Sequence, residues 1–166
     1  TFLPNRYIDG YGLNLDTINK ILEHDTPDLI ITVDCGITAV EEVKFLMSKG
    51  IDVIVTDHHE SDGNMPECLI INPKVSTTYP FKYLCGAGVA FKLAQALLGT
   101  KANRLLEFAG IATIADMVPL TGENRILAYY GLQNLKNNPS MGIKSLMAAA
   151  GIKLQTLDEG SVGFGI

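Results

Sequence analysis

The sequence is poor in cysteine, carries no surplus of positive charge and has no long apolar run. Each lack removes a class of protein. Cys35, Cys68 and Cys85 are odd in number and never spaced as Cys-x-x-Cys, which leaves neither a disulfide framework nor a zinc ribbon. No segment approaches the roughly 20 unbroken apolar residues of a membrane span, and no signal-peptide pattern opens the chain. The expected setting is reduced and cytoplasmic, with no membrane partner. The formal net charge is −5, so the global nucleic-acid footprint of a pI above about 9 is missing. Contact with DNA or RNA must then be local, metal-bridged, or made by a part of the protein outside these residues. No internal repeat or low-complexity tract appears.

What is present is a chain of 166 residues, 47% hydrophobic, enough for one domain with a substantial core. It begins Thr1-Phe2-Leu3-Pro4 and ends Gly163-Phe164-Gly165-Ile166. Neither end has the polar residues common at natural termini, and the expectation is a piece of a longer protein.

Apolar spacing organises the chain into an α/β half followed by a helical half. Leu15, Ile18, Ile21 and Leu22 recur at helical spacing behind Asn14 or Asp16 as a cap. Leu29–Val33 reads as a buried strand. Thr38 with Glu41 three residues on has the capping-box spacing for a helix that Gly50 ends. Ile51–Val55 is the next strand, and Leu69–Ile71 a third. A strand–helix–strand unit of this kind is a right-handed parallel crossover, which sets Asp34 and Asp57 at one edge of the sheet. Neighbouring strands lie about 4.8 Å apart, so side chains from the two ends can share one ion. Beyond Pro73 the segments 86–98, 103–117, 123–135 and 145–150 read as helices, and a linker is expected to begin near Asn137-Asn138-Pro139, so that 137–166 leads out of the domain.

Chemistry concentrates where the strands stop. Asp34 follows the first strand in Thr32-Val33-Asp34-Cys35-Gly36; it serves either as a turn or cap acid or as a metal-binding carboxylate. Asp57-His58-His59 follows the second strand. Two adjacent histidines point in different directions, so one can ligate metal while the other meets substrate or a supporting acid, a role open to Asp57. Asp116 is the sole charged residue from Ala109 to Leu120. A carboxylate in so apolar a helix is costly unless paired or bound to a cation; the alternative is an exposed helix end before Pro119. Carboxylate and imidazole together suit a divalent transition metal or Mg²⁺, but the acids at hand are too few for a pair of ions. Gly10-Tyr11-Gly12 lacks the third spaced glycine of a dinucleotide fingerprint.

Thr56-Asp57-His58-His59, with Thr32-Val33-Asp34-Cys35-Gly36 upstream and Ile111-Ala112-Thr113-Ile114-Ala115-Asp116-Met117-Val118-Pro119-Leu120 downstream, resembles the DHH phosphoesterase superfamily. Pro4-Asn5-Arg6 with Gly10-Tyr11-Gly12, Ile71-Asn72-Pro73, Cys85 to Lys92 and Gly122-Glu123-Asn124-Arg125 bring the chain nearest to that family's bacterial single-stranded-DNA exonucleases. The resemblance runs from about residue 3 to the end.

The resemblance implies a parallel-sheet phosphoesterase domain over 1–166 whose first strand and first Asp-x-Asp motif lie upstream of Thr1. It implies two Mn²⁺ or Mg²⁺ ions, with Asp34, His58 and Asp116 as metal ligands. His59 would stand near the scissile phosphate, Asp57 would support it as the second catalytic residue, and Arg6 and Arg125 would contact substrate phosphate. The activity implied is hydrolysis of single-stranded DNA from the 5′ end in DNA repair and recombination, with a helicase and a single-strand-binding protein as partners. These residues alone are expected to be inactive or nearly so. The alternatives are a phosphodiesterase of oligoribonucleotides or cyclic dinucleotides, and a non-catalytic scaffold; the standing Asp34, His58, His59 and Asp116 argue against the scaffold.

Overall fold

The computed structural model describes residues 2–3, 7, 10–152 and 157–165, in two units, 1–78 and 79–166. In the first unit, helix α1 (Leu15–His24) precedes strand β1 (Leu29–Val33), helix α2 (Val40–Ser48), strand β2 (Asp52–Thr56) and strand β3 (Leu69–Ile71). The strands form one parallel sheet in the order β1-β2-β3. Asn14, one of the two expected caps, closes the start of α1 by accepting from Thr17 N–H at 2.8 Å. At the end of α2, Gly50 takes φ +79°, and the N–H groups of Gly50 and Ile51 return to the carbonyls of Met47 and Leu46. That pair of bonds satisfies carbonyls the helix would leave open and turns the chain into β2.

Alternation along the strands decides the core. Val53 and Val55 point to the face that packs on Ile18 of α1 and on Val43 and Leu46 of α2, with Ile30 and Ile70 partly buried beside them. Each such aliphatic side chain contributes about 1.5–3 kcal/mol by leaving water. The opposite face is largely open. Leu29, Ile31 and Val33 are 45%, 43% and 53% exposed, so β1 is not the buried strand its β-branched run suggests. The cause is that both helices of this unit lie on the same side of the sheet.

A second correction concerns α2. Thr38 does not cap it; the N-cap is Ala39, and no side chain bonds the first turn. The chain instead makes a tight turn at 36–39, with Ala39 N–H on the Gly36 carbonyl at 3.1 Å, and the helix starts only after it. The second strand is also displaced by one residue from the expected Ile51–Val55.

The second unit holds α3 (Gly86–Leu98), a 3-10 stretch (Gly99–Leu105), α4 (Leu106–Ala115), α5 (Gly122–Asn137), α6 (Met141–Ala149) and α7 (Glu159–Gly165). The expected single helix over 103–117 is thus divided. Helices α4 and α5 meet at Gly110 and Gly131, where an added Cβ would come within 2.7 Å and 2.6 Å of the facing glycine's Cα. Leu135, Ile143, Met147, Leu157 and Val162 close a core around the last helices. Buried Glu107 accepts from Ser140 N–H at 3.0 Å, at the entrance to α6.

Candidate metal centre

The parallel register continues one residue past the strands. Val33 pairs with Thr56, after which Asp34 N–H donates to the Thr56 carbonyl at 3.0 Å and Asp57 N–H to the Ile71 carbonyl at 3.1 Å. Both acids therefore leave the sheet at its C-terminal edge, the usual binding edge of an open parallel sheet. Asp34 takes φ +63°, a left-handed conformation that aspartate tolerates better than most residues. Gly36 follows at φ +107°, and a Cβ there would meet Thr32 Oγ1 at 3.0 Å. Thr32 in turn donates to the Cys35 carbonyl at 2.8 Å, and Thr56 to the Thr32 carbonyl at 2.6 Å. The Thr56 hydroxyl thus pins the two strand ends to each other, and the Thr32 hydroxyl fixes the turn that follows β1.

The aspartates then diverge. Asp34 is 55% exposed, and its Oδ1 lies 3.0 Å from His58 Nε2. Asp57 is 1% exposed. Its Oδ2 accepts from Ile37 N–H at 3.0 Å, and its Oδ1 from His58 N–H at 2.7 Å, His59 N–H at 3.2 Å and His59 Nδ1 at 2.7 Å. Burial pushes the Asp57 carboxyl up. The bonds from Ile37, the His59 ring and the two histidine N–H groups outweigh it and hold the carboxyl below its ordinary value. An ionised Asp57 keeps a proton on His59 Nδ1, which leaves Nε2 as the outward nitrogen of that ring. The supporting carboxylate therefore grips His59, while His58 is the histidine that faces Asp34.

One ligand atom each from Asp34, His58 and His59 lies within 4.8 Å of the others. Carboxylate and imidazole donors fit Mn²⁺, and Mg²⁺ less well because it prefers oxygen. The 3.0 Å between His58 Nε2 and Asp34 Oδ1 also matches adjacent corners of an octahedron with bonds of about 2.1 Å, which lie about 3.0 Å apart. The neighbouring cleft is lined by Tyr11, Cys35, Thr38, Glu42, His59 and Glu60. Two more acids in that cleft make it repel phosphate unless a cation intervenes. Burial and the charges of Asp57 and Asp34 push the Cys35 thiol up, away from the thiolate form that a nucleophile needs.

The other expected residues come from other parts of the sequence. Asp116 belongs to the second unit, where it is the exposed C-cap of α4 at φ −78° and ψ 0°. It ends the apolar helix and is not buried in it. A carboxylate at a helix C-terminus is disfavoured by about 0.3–1 kcal/mol, so helix stability does not explain its placement. Arg125 is exposed on the first turn of α5; its neighbour Glu123 binds Lys92 Nζ at 2.6 Å and Tyr79 at 2.8 Å. Arg6 lies outside the described residues.

Two residues have places at the site that sequence reasoning did not assign. Asn72, 3% exposed, donates through Nδ2 to the His59 carbonyl at 3.0 Å and accepts from Lys74 N–H at 2.9 Å. Its position directly after β3, at the same sheet edge as Asp34 and Asp57, was the available signal. Tyr11 brings its hydroxyl to 3.3 Å from His59 Nε2 and 3.4 Å from the Asp34 carbonyl. Its sequence cues were an aromatic between two glycines and the place of Gly10-Tyr11-Gly12 among the motifs that carry the family resemblance.

A family model described as the DHH family, N-terminal domain, matches residues 1–118. A single-stranded-DNA-specific exonuclease RecJ of Bacillus subtilis is 47% identical over 165 residues, which cover 98% of this chain and 21% of that relative. A crystal structure of exonuclease RecJ bound to manganese superimposes with a TM-score of 0.85 at 35% identity, covering 99% of this chain and 42% of that one. RecJ of Thermus thermophilus in complex with Mn²⁺ gives 0.78 at 34% identity, covering 92% and 23%. The chain thus spans between about a fifth and two fifths of the length of these relatives.

Proposed function

The chain belongs to the DHH family, and we propose that it forms part of a metal-dependent exonuclease that hydrolyses single-stranded DNA from the 5′ end. The observation that carries this reading is the Asp34–His58–His59 cluster at the C-terminal edge of the sheet. The relatives' names and the manganese in two similar structures support the substrate and the metal.

In this reading Asp34 and His58 hold the ion, and Asp116 is a further ligand. Two Mn²⁺ or Mg²⁺ ions complete the whole-length centre with carboxylates from outside these residues. Such ions acidify a water and offset charge on the phosphate. His59, with Nδ1 on ionised Asp57, turns Nε2 toward the scissile phosphate, and Asp57 fixes both its tautomer and its direction. Arg6 and Arg125 contact substrate phosphate. The protein works in the cytoplasm, in DNA repair and recombination, beside a helicase and a single-strand-binding protein.

The test is release of 5′-mononucleotides from a labelled single strand by the whole-length protein with Mn²⁺. We expect EDTA or Asp34→Asn to abolish it. Cleavage that survives both, or cutting of short RNA dimers with long single-stranded DNA left intact, would overturn the reading.

A further inference from the structure

We infer that Tyr11 is a positioning residue for His59, acting on the outward nitrogen of its ring. This rests on the exonuclease reading, in which that nitrogen addresses the phosphate. His59 is held from below at three points: Nδ1 and the backbone N–H on Asp57 Oδ1, and the carbonyl on Asn72 Nδ2. These partners lie at the ends of β2 and β3 and fix one edge of the ring. A ring held at one nitrogen still pivots about that bond, and Nε2, at the far corner, moves most.

Tyr11 supplies the opposing contact. It comes from the segment before α1, and its hydroxyl lies 3.3 Å from Nε2. The two rings meet edge to face, with centroids 6.1 Å apart and planes at 84°. The hydroxyl also lies 3.4 Å from the Asp34 carbonyl, so the same atom touches both strand ends that carry the site. Both distances are long for hydrogen bonds of a hydroxyl, whose usual range is about 2.5–3.0 Å. Tyr11 is 66% exposed. The contact therefore steers the ring without locking it, and a phosphate oxygen can enter beside the hydroxyl. Direction matters here because misplacing a reacting group by about 1 Å costs about a hundredfold in rate.

The alternative role for an exposed aromatic at such a site is a stacking platform for a base, which needs the ring and not the hydroxyl. Tyr11→Phe and Tyr11→Ala separate the two. For positioning, Tyr11→Phe in the whole-length protein lowers kcat about tenfold, the order expected for losing one hydrogen bond. KM stays within about twofold, and Tyr11→Ala goes little further. A Phe variant with wild-type kcat and an Ala variant with raised KM would overturn positioning in favour of stacking. A Phe variant whose urea midpoint falls along with kcat would reduce Tyr11 to a fold residue.

A second readout needs no catalysis. In the ¹⁵N-histidine-labelled 166-residue chain at alkaline pH, Tyr11→Phe should shift the His59 Nε2 resonance and leave the Nδ1–H tautomer in place. An unchanged Nε2 resonance sinks the inference. If no variant degrades DNA, the exonuclease reading fails, and this shift alone then decides whether Tyr11 orients His59.

Discussion

Asp34 and Asp57 stand at matching places, one residue beyond the paired Val33 and Thr56, yet they become different chemical objects. Asp34 turns left-handed out of the sheet, stays half exposed and meets His58. Asp57 stays under the loop, loses nearly all contact with water and accepts hydrogen bonds from Ile37, His58 and His59. A carboxylate that has committed its lone pairs to N–H groups holds the fold. One that faces outward with lone pairs to offer can hold an ion. The same residue type at the same register thus gives a bracket at one strand end and a candidate ligand at the other, and the backbone angle at position 34 separates them.

The largest expected effect separates them by stability. Asp57→Ala strips the partner from several buried donors and should cost the 166-residue chain about 3–4 kcal/mol, since bonds to a charged group are worth about 1.5–3 kcal/mol each and the orphaned donors add to the loss. Asp34→Asn, which keeps a side chain suited to the left-handed angle at position 34, should stay within about 0.5 kcal/mol, as exposed substitutions do. Urea unfolding followed by far-UV circular dichroism measures both. Equal losses would erase the distinction between bracket and ligand.

Much of this was legible before the fold was known, because strand ends are marked by where apolar runs stop. Leu29–Val33 and Leu69–Ile71 are strands with the bounds their residues suggest, and Asp34 and Asp57 do share one edge. What failed depended on contacts from a distance. The Thr38 capping box has the right spacing, but Ile37 N–H is claimed by Asp57, twenty residues on, and the turn at 36–39 delays the helix. The exposed face of β1 follows from which side both helices cover, and alternation alone cannot say that. A supporting role for Asp57 can be argued from its place beside two histidines. Which histidine it grips depends on side-chain direction, which adjacent residues do not reveal.

The next effect inverts the ranking. For Mn²⁺ binding to the whole-length protein, Asp34→Asn should weaken affinity about a hundredfold. Asp57→Asn, acting only through its bond to the His58 backbone N–H, should weaken it about tenfold, the lower end for a partner behind a ligand. Isothermal titration reads both. A larger loss from Asp57→Asn than from Asp34→Asn would mean that the bracket, and not the exposed acid, governs the ion.

The smallest effect is one of pH, and it sharpens the contrast by sign. Because its hydrogen bonds hold the folded Asp57 carboxyl below its ordinary value, the unfolded chain takes up that proton first as the solution is acidified. The stability this group lends is complete above the unfolded carboxylate pKa of about 3.9. It drains away as pH falls from there through the lower folded value. Wild-type stability, followed by urea unfolding from pH 6 downward, should therefore fall faster below pH 4 than that of Asp57→Asn, which has no proton to gain at this position. The two curves should run parallel above pH 5. A gap that opens instead between pH 5 and 7 would mean that a histidine, and not the buried carboxylate, carries the dependence. Asp34→Asn should follow the wild-type slope below pH 4, since it leaves the Asp57 bracket whole.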